Sequence, residues 1–367
     1  MNIIIYEDEG YKNFLPLTWT RPVYDLRCGI NTLAEKIIRQ YPKNKINFSC
    51  RHYLPGEKML GLEKGLFING RLLAHKNLVK EILLKGKDEI YYSGDEIVAV
   101  RAVTRNFEEV KKKAKAKRVN LRVLKYPWEL VAETGAQILA DKKYLKGKKT
   151  GQKDKTVKIY KPQDVIIDVG AEVEANTVID ARQGPVYIGL GTIIRPLTYL
   201  KGPLSIGPQC RIGGEVGESI IHGYSNKQHY GFIGHSYIGE WVNLGAGTTN
   251  SDLKNNYGTV KVIINGKSID SGEKFVGCFI GDHAKTGIGT LITTGAMIGV
   301  AANIFGGGVT AKETASFSWG SKGTYELEKM IKNAELVMGR RGKNISAVEK
   351  ELLRKVFKLS QDEGKKS

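Results

Sequence analysis

Paired cysteines, long apolar runs and an excess of acid are all missing from this chain. The four cysteines, Cys28, Cys50, Cys210 and Cys278, lie far apart and form no Cys-x-x-Cys pair, which argues against a disulfide framework and a cysteine-based zinc site. A reducing, cytoplasmic setting is the matching expectation. No apolar run approaches the roughly 18 residues that a membrane-crossing helix needs. The opening MNIIIYEDEG has no basic stretch ahead of its first acids, so neither a signal sequence nor a membrane partner is expected. Acids number 38 against 57 lysines and arginines, for a net charge of +19. That surplus suits a partner bearing phosphates, and charge alone does not separate nucleic acid from small anionic substrates. Its densest runs, residues 111–118 and 142–155, read as solvated helix faces and linkers, so nucleic acid is not the expected partner.

What the chain does have is length for two cores: 367 residues, 41% of them hydrophobic. Strand-like runs at residues 2–6, 46–49, 66–68 and 97–100 alternate with helical stretches at 29–40, 78–84 and 107–117, the pattern of an α/β layer fold. In such folds ligands bind beyond the carboxyl ends of the strands. The loop after the first strand is therefore the place to look, and residues 15–27 carry Arg21 and Arg27, whose forked donors suit phosphate oxygens, along with Thr18 and Asp25. A surface loop whose arginines pair with nearby acids is the competing explanation.

Residues 141–162 (DKKYLKGKKTGQKDKTVKIYKP) are poor in apolar side chains and broken by Gly147 and Gly151, which marks a linker or exposed hairpin. The expected division is 1–150, 151–320 and a helical tail over 321–367. Past this seam the period changes. Ile167, Val173 and Ile179 are six apart, as are Ile188, Ile194, Leu200, Ile206 and Ile212; Ile238 and Leu244 follow, then Ile292, Ile298 and Ile304. Neither 3.6 nor 2 explains a repeat of six. An aliphatic residue every sixth place, often followed by glycine (189, 207, 239, 245, 281, 299), is the pattern of a parallel β-helix with flat faces. Residues 254–271 interrupt it as a long loop at one corner. Helical stretches end the chain, with Arg340 and Arg341 in MGRRG (338–342) available to contact phosphates.

Several motifs together resemble a known family. PLTWTRP (16–22), DLR (25–27), Glu35-Lys36, NGRLL (69–73) and YPWEL (126–130) are similar to the signatures of a divergent sugar-nucleotidyltransferase-like domain fused to a hexapeptide acyltransferase. The run His229-x4-Gly234-x3-Ile238-Gly-x2-Val242-Asn243-Leu-Gly-Ala-Gly-Thr248 resembles the active-site coil of the bifunctional glucosamine-1-phosphate acetyltransferase/N-acetylglucosamine-1-phosphate uridylyltransferase family. The resemblance spans the chain and implies a Rossmann-like α/β domain followed by a left-handed β-helix that forms homotrimers with active sites in the clefts between subunits. It implies acyl transfer from acetyl-CoA to an amino sugar-1-phosphate or nucleotide sugar, with nucleotidyl transfer as a possible second activity. Acyl transfer needs a base for the nucleophile's proton and donors for the oxyanion. By position His229 would be the base, Asn243 would orient the sugar, and the Ala246 N–H would face the thioester oxygen. Phe232, Asn250, Lys254, Arg195 and Arg211 would contact the acceptor or cosubstrate, Arg340 and Arg341 the coenzyme A, and Thr18, Arg21, Asp25, Arg27, Lys36 and Asn69 a nucleotide.

Departures accompany the match. YEDEG (6–10) replaces the glycine-rich phosphate loop, and Asn69 stands where active enzymes place the aspartate that binds Mg²⁺, needed only if the first domain is active. Phe232 replaces a tyrosine and Gly217 a phosphate-gripping lysine. Two other readings stay open: a sugar-1-phosphate nucleotidyltransferase whose β-helix only trimerises, and a non-catalytic sugar-nucleotide-binding assembly.

Overall fold

The computed structural model describes residues 1–55, 64–145, 150–321 and 323–364. They form two compact units, one of Met1–Phe14, Arg21–Leu26 and Asn31–Tyr126, the other of Leu15–Thr20, Arg27–Ile30 and Pro127–Ser367.

In the first unit the apolar run Ile3–Tyr6 is a buried strand. It pairs in parallel with Ile46–Ser49 on one side and Gly65–Asn69 on the other. The sheet continues through Glu96–Ala102, Glu89–Ser93 and Lys115–Arg118, making six strands. Glu96–Ala102 runs antiparallel to both its neighbours. The helix Leu33–Gln40 starts where the Thr32 hydroxyl accepts the Glu35 N–H and the Glu35 carboxylate accepts the Thr32 N–H. This reciprocal cap satisfies two otherwise orphaned donors. Asn106 and Glu109 do the same for Phe107–Lys113. That helix is shorter than its sequence suggests, because Lys115–Arg118 leaves it to pair in parallel with Glu89–Ser93. All four residues of the strand are exposed, and a lysine-rich edge of this kind discourages pairing with further strands.

In the second unit the six-residue period is realised as a three-faced parallel β-helix. Sheets of five, eight and ten short strands run from Lys158–Tyr160, Val165–Ile167 and Gln152–Lys153 respectively, and up to Ser318–Trp319 successive strands of these sheets fall on different ones. Only the last pair, Ser318–Trp319 with Gly323–Thr324, is antiparallel among the described residues of these three sheets. Val173, Ile179, Ile188, Ile194, Leu200, Ile206, Ile212, Ile238, Leu244, Ile292 and Ile298 form the core, with Ile167 and Ile304 packed against it. The advance per coil varies: Ile188 stacks on Ile206, Ile206 on Ile221 and Ile221 on Ile238. Corners of different length absorb the difference while inward and outward positions stay alternate. After Ile238 the next partner is Ile280. The interrupting segment is more than a loop: Lys261–Ile264 and Lys267–Asp270 form an antiparallel hairpin turning at Asn265 and Gly266, with φ of 50° and 72°, the left-handed pair that an Asn-Gly turn favours.

Not every inward position is aliphatic: Thr286 lies in register with Leu244 and Asn250 with Ile292, and one inward position holds a cation. Lys227, on the strand Asn226–Lys227, lies in register with Ile212 and is 3% exposed. Its ammonium donates to the carbonyl oxygens of Gly213 at 2.9 Å and His229 at 2.7 Å, and burial brings its pKa down to about 8. The tail consists of two helices, Leu327–Gly339 and Ala347–Gly364, joined by Arg354 to Glu328 at 2.9 Å. No helix among the described residues is long and apolar enough to cross a membrane.

Candidate functional site

Two clefts lie on adjacent faces of the β-helix, and His229 stands at the corner between those faces. The first is built on the ten-stranded sheet. Arg211, Asn226, Asn243 and Lys285 follow one another in register on successive strands, so their side chains share the outward side. At the corner leading onto this face, Tyr224, Trp241 and His283 each adopt a left-handed backbone, with φ of 53°, 59° and 60°. That conformation costs a residue other than glycine about 1–2 kcal/mol, offset here by ring contacts: Tyr224 stacks on Trp241 at 4.4 Å, and Trp241 lies nearly parallel to His283 at 6.5 Å. Val337 and the following Arg340 and Arg341 close the other side, leaving about 270 Å³.

Arg211, Lys285, Arg340 and Arg341 line this cleft with no carboxylate among the lining residues. Arg341 donates to Asn226 Oδ1 at 2.7 Å, while its Nε is buried with no hydrogen-bond partner. Burial, then the nearby charges of Arg211 and Arg340, hold the Arg341 pKa below the usual range. Burial alone pushes Lys285 down to about 8. Crowded, underpaired cations beside stacked rings suit an anion with an aromatic portion.

The second cleft, about 380 Å³, lies on the five-stranded sheet between Gln183, Lys201, Glu215, Glu218, Phe232, His235, Asp252 and Phe275. His235 Nδ1 is 2.8 Å from Asp252 Oδ2 and 3.9 Å from Glu218, and its ring stacks on Phe275 at 5.1 Å. Lys201 pairs with Glu218 at 2.7 Å and lies in register with Gly217, so a cation from the preceding coil covers the position where the sequence has lost one.

The residues singled out from sequence fall in several places. Asn243, Arg211, Arg340 and Arg341 meet in the first cleft, and Gln228, which neighbours His229, also lines it. Phe232 lines the second. His229 is exposed at its corner, with its main-chain oxygen held by Lys227. Among the described residues no acceptor is placed on the Ala246 N–H. Asn250 is buried and engaged with backbone, accepting from Gly234 N–H at 2.8 Å and donating to Gly234 O at 3.0 Å. Lys254 donates to Thr259 O within its loop, and Arg195 pairs with Glu174 at 2.9 Å.

The six proposed nucleotide contacts divide between the units. Thr18 and Arg27 belong to the second, where Thr18 is buried. The Arg27 N–H donates to Tyr237 Oη at 2.8 Å, and its guanidinium to the carbonyl oxygens of His222 and Ile30. Arg21, Asp25, Lys36 and Asn69 belong to the first unit, with Lys36 and Asn69 buried. Beyond the strands Ile3–Tyr6 and Gly65–Asn69, the Asp8 carboxylate accepts from Arg71 at 2.8 and 2.6 Å, from Asn69 Nδ2 at 2.9 Å and from Gly10 N–H at 3.2 Å. Burial opposes ionisation of Asp8, yet Arg71 and the other donors hold its pKa below the ordinary value. Arg71 also pairs with Glu96 at 2.7 Å. A Cβ at position 10 would stand 2.4 Å from the Arg71 guanidinium, so Gly10 makes room for this ion pair. With Asp8 saturated and Asn69 Oδ1 accepting the Arg71 N–H, these residues do not fit a divalent cation, whose ligands must offer open oxygens. No group of three or more His, Cys, Asp or Glu among the described residues is placed to hold a metal.

Lys285, Trp241, Lys201, His235 and Asp252 were not anticipated from sequence. A signal for them existed: residues one coil apart become neighbours, as His235 and Asp252 do.

Residues 3–150 match the family model described as sugar nucleotidyl transferase. The chain is 37% identical over 152 residues to the bifunctional sugar-1-phosphate nucleotidylyltransferase/acetyltransferase of Sulfurisphaera tokodaii, covering 41% of this chain and 37% of that protein. It is 32% identical over 149 residues to the bifunctional protein GlmU of a Picosynechococcus species, covering 38% and 29%. The matches thus span about a third of those relatives' length. A hexapeptide transferase family protein from Anaplasma phagocytophilum is 14% identical, covers 58% of this chain and 92% of its own, and has a TM-score of 0.18, too low to bear on fold or function. The chain is thus similar in part to sugar nucleotidyltransferases and to bifunctional nucleotidylyltransferase/acetyltransferases, the kind of protein its motifs resemble.

Proposed function

We propose that the chain is an acyltransferase that moves an acetyl group from acetyl-CoA to the amine of an amino sugar-1-phosphate or nucleotide sugar, in the cytoplasm and as a homotrimer. The observation that carries this reading is the first cleft: four cations, one with a buried unpartnered Nε, beside Asn243 and one residue from His229. The residues fit the cosubstrate. Arg211, Lys285, Arg340 and Arg341 would hold its phosphates, and the Tyr224–Trp241 stack offers a surface for its purine. Bound there, the cosubstrate supplies an activated thioester. His229 takes a proton from the attacking amine, Lys227 holds the backbone of that corner, and the uncommitted Ala246 N–H faces the developing oxyanion. His229 is exposed in the single chain, and in the proposed homotrimer a second copy would complete its surroundings. Free-thiol release from acetyl-CoA with glucosamine-1-phosphate tests the reading. Loss of the general base lowers turnover by about 10²–10⁴-fold in His229→Ala. Equal thiol release by parent and variant would count against it.

Nucleotidyl transfer by residues 1–150 is the second activity we propose, supported by the family match and the relatives' names. Asp8 and Asn69 are engaged with Arg71 and are not placed to hold magnesium. Conversion of a sugar-1-phosphate with UTP or dTTP and Mg²⁺, lost in Arg21→Ala, is the check.

A further inference from the structure

The second cleft differs in charge from the first. Glu215, Glu218 and Asp252 face a single ammonium, that of Lys201, which is already paired with Glu218. Phe232 and Phe275 supply apolar walls, and about 380 Å³ is room for a hexose. The polar centre of this space is His235, at a corner with φ of 47°. Asp252 lies 2.8 Å from its Nδ1, so the favoured neutral tautomer donates Nδ1–H to Asp252 and leaves Nε2 as a proton acceptor. The stacked ring of Phe275 restricts the imidazole from the side.

An amino sugar reaches an enzyme at neutral pH largely as its ammonium, which has no lone pair for attack. Acylation therefore requires removal of two protons: one to free the nitrogen lone pair, one as the new C–N bond forms. The face between the His229 and His235 corners carries this cleft; His235 lines it, and His229 stands at the preceding corner, outside the lining residues. We propose that the His235–Asp252 pair is the receptor for the acceptor's ammonium and takes its first proton, leaving the second to His229. The inference rests on the acyltransferase reading. In the balanced sequence, R–NH₃⁺ gives a proton to His235 Nε2. The neutral amine then attacks the thioester carbonyl carbon, the C–N bond forms and the C–S bond breaks. The second proton passes through His229 to the departing thiolate, and the His235 imidazolium releases its proton to solvent. The carboxylates of Glu215, Glu218 and Asp252 attract the incoming cation, while Lys201 opposes it; these are the charged groups facing His235.

Because position 235 has a left-handed backbone, asparagine is a replacement that, glycine apart, tolerates it well. With acetyl-CoA and glucosamine-1-phosphate, His235→Asn lowers kcat/KM about 10–100-fold near neutral pH. The deficit shrinks to within a few-fold at about pH 9, where amines arrive deprotonated. His229→Ala gains no such rescue, since the second proton must still leave. Asp252→Asn follows His235→Asn in direction, and an unchanged unfolding midpoint for both variants separates the effect from misfolding. A deficit that does not vary with pH, or none at all, overturns the role of His235 while leaving the acyltransferase reading in place. If the parent protein transfers nothing, the reading fails, and binding decides the site. Glucosamine, but not glucose, should then perturb the His235 ring resonances; no perturbation by glucosamine overturns the ammonium receptor as well.

Discussion

Charge is arranged in opposite ways in the two units. In the α/β unit the charged groups near the strand ends answer one another: Asp8 with Arg71, Arg71 with Glu96, and Glu7 with Arg51 at 2.7 Å. In the β-helix, Arg211, Lys285, Arg340 and Arg341 face a common space without an acid lining it. Both units hold buried or half-buried cations, so burial does not distinguish them. The difference lies in whether the partner is built into the chain. A network that satisfies itself stabilises its own fold; one left open favours a ligand of opposite sign.

The comparison is most sharply broken at Arg71. Arg71→Met leaves Asp8 without its cation and Glu96 with only the more distant Lys125, at 3.7 Å, and we expect a loss of about 2–4 kcal/mol in denaturant unfolding, below the largest values for fully buried pairs because both acids retain some exposure. Asp8 has a folded pKa below its ordinary value of 3.8. The stabilisation linked to it is therefore complete above that value and lost as pH falls through the lower folded one, and the variant lacks this acid-side slope. A midpoint unchanged by the substitution would show that the network is dispensable.

Lys227 tests the converse case, a cation inside the prism held by carbonyls alone. Its pKa falls from 10.5 unfolded to about 8, so the folded protein gains stability as pH rises between those values, where the unfolded chain binds more protons. Lys227→Met removes that alkaline slope and stabilises the neutral protein by about 1–2 kcal/mol, the relief of desolvation less the two lost hydrogen bonds. Thermal unfolding at pH 7 and pH 10 reads both effects, and a variant with the parental slope would assign the slope elsewhere. The smallest effect is expected for Arg211→Ala. Its stability should stay within about 0.5 kcal/mol of the parent, while acetyl-CoA affinity by calorimetry weakens about 5–10-fold and depends less on salt. Unaltered affinity would remove the first cleft from the proposal.

Much of the β-helix was legible because a period of six is an unusual signal, and each aliphatic residue picked out by it is in or against the core. Lys227 was not, because nothing local marks a lysine as inward-facing when its coil is shorter than the preceding one. The clefts were harder still. Their members come from successive coils and from the tail, and corner lengths set which residues meet: Lys201 faces the place of Gly217, not a residue eighteen further on. In the α/β unit the alternation of strands and helices was readable. The engagement of Asn69 and Asp8 with Arg71 depends on a glycine two residues after Asp8, whose effect appears only in three dimensions.

The hairpin Lys261–Asp270 carries a practical lesson about how such a molecule can grow. Tyr237 and Ile238 find Phe279 and Ile280 as partners across the whole excursion, in the same register used by uninterrupted coils. Each coil answers only to the coil before and after it, and a Cβ added at Gly266 meets no atom within 4 Å. The Asn265–Gly266 tip is thus a natural grafting point, where a tag or a small foreign module could be hung while strand pairing on either side continues undisturbed.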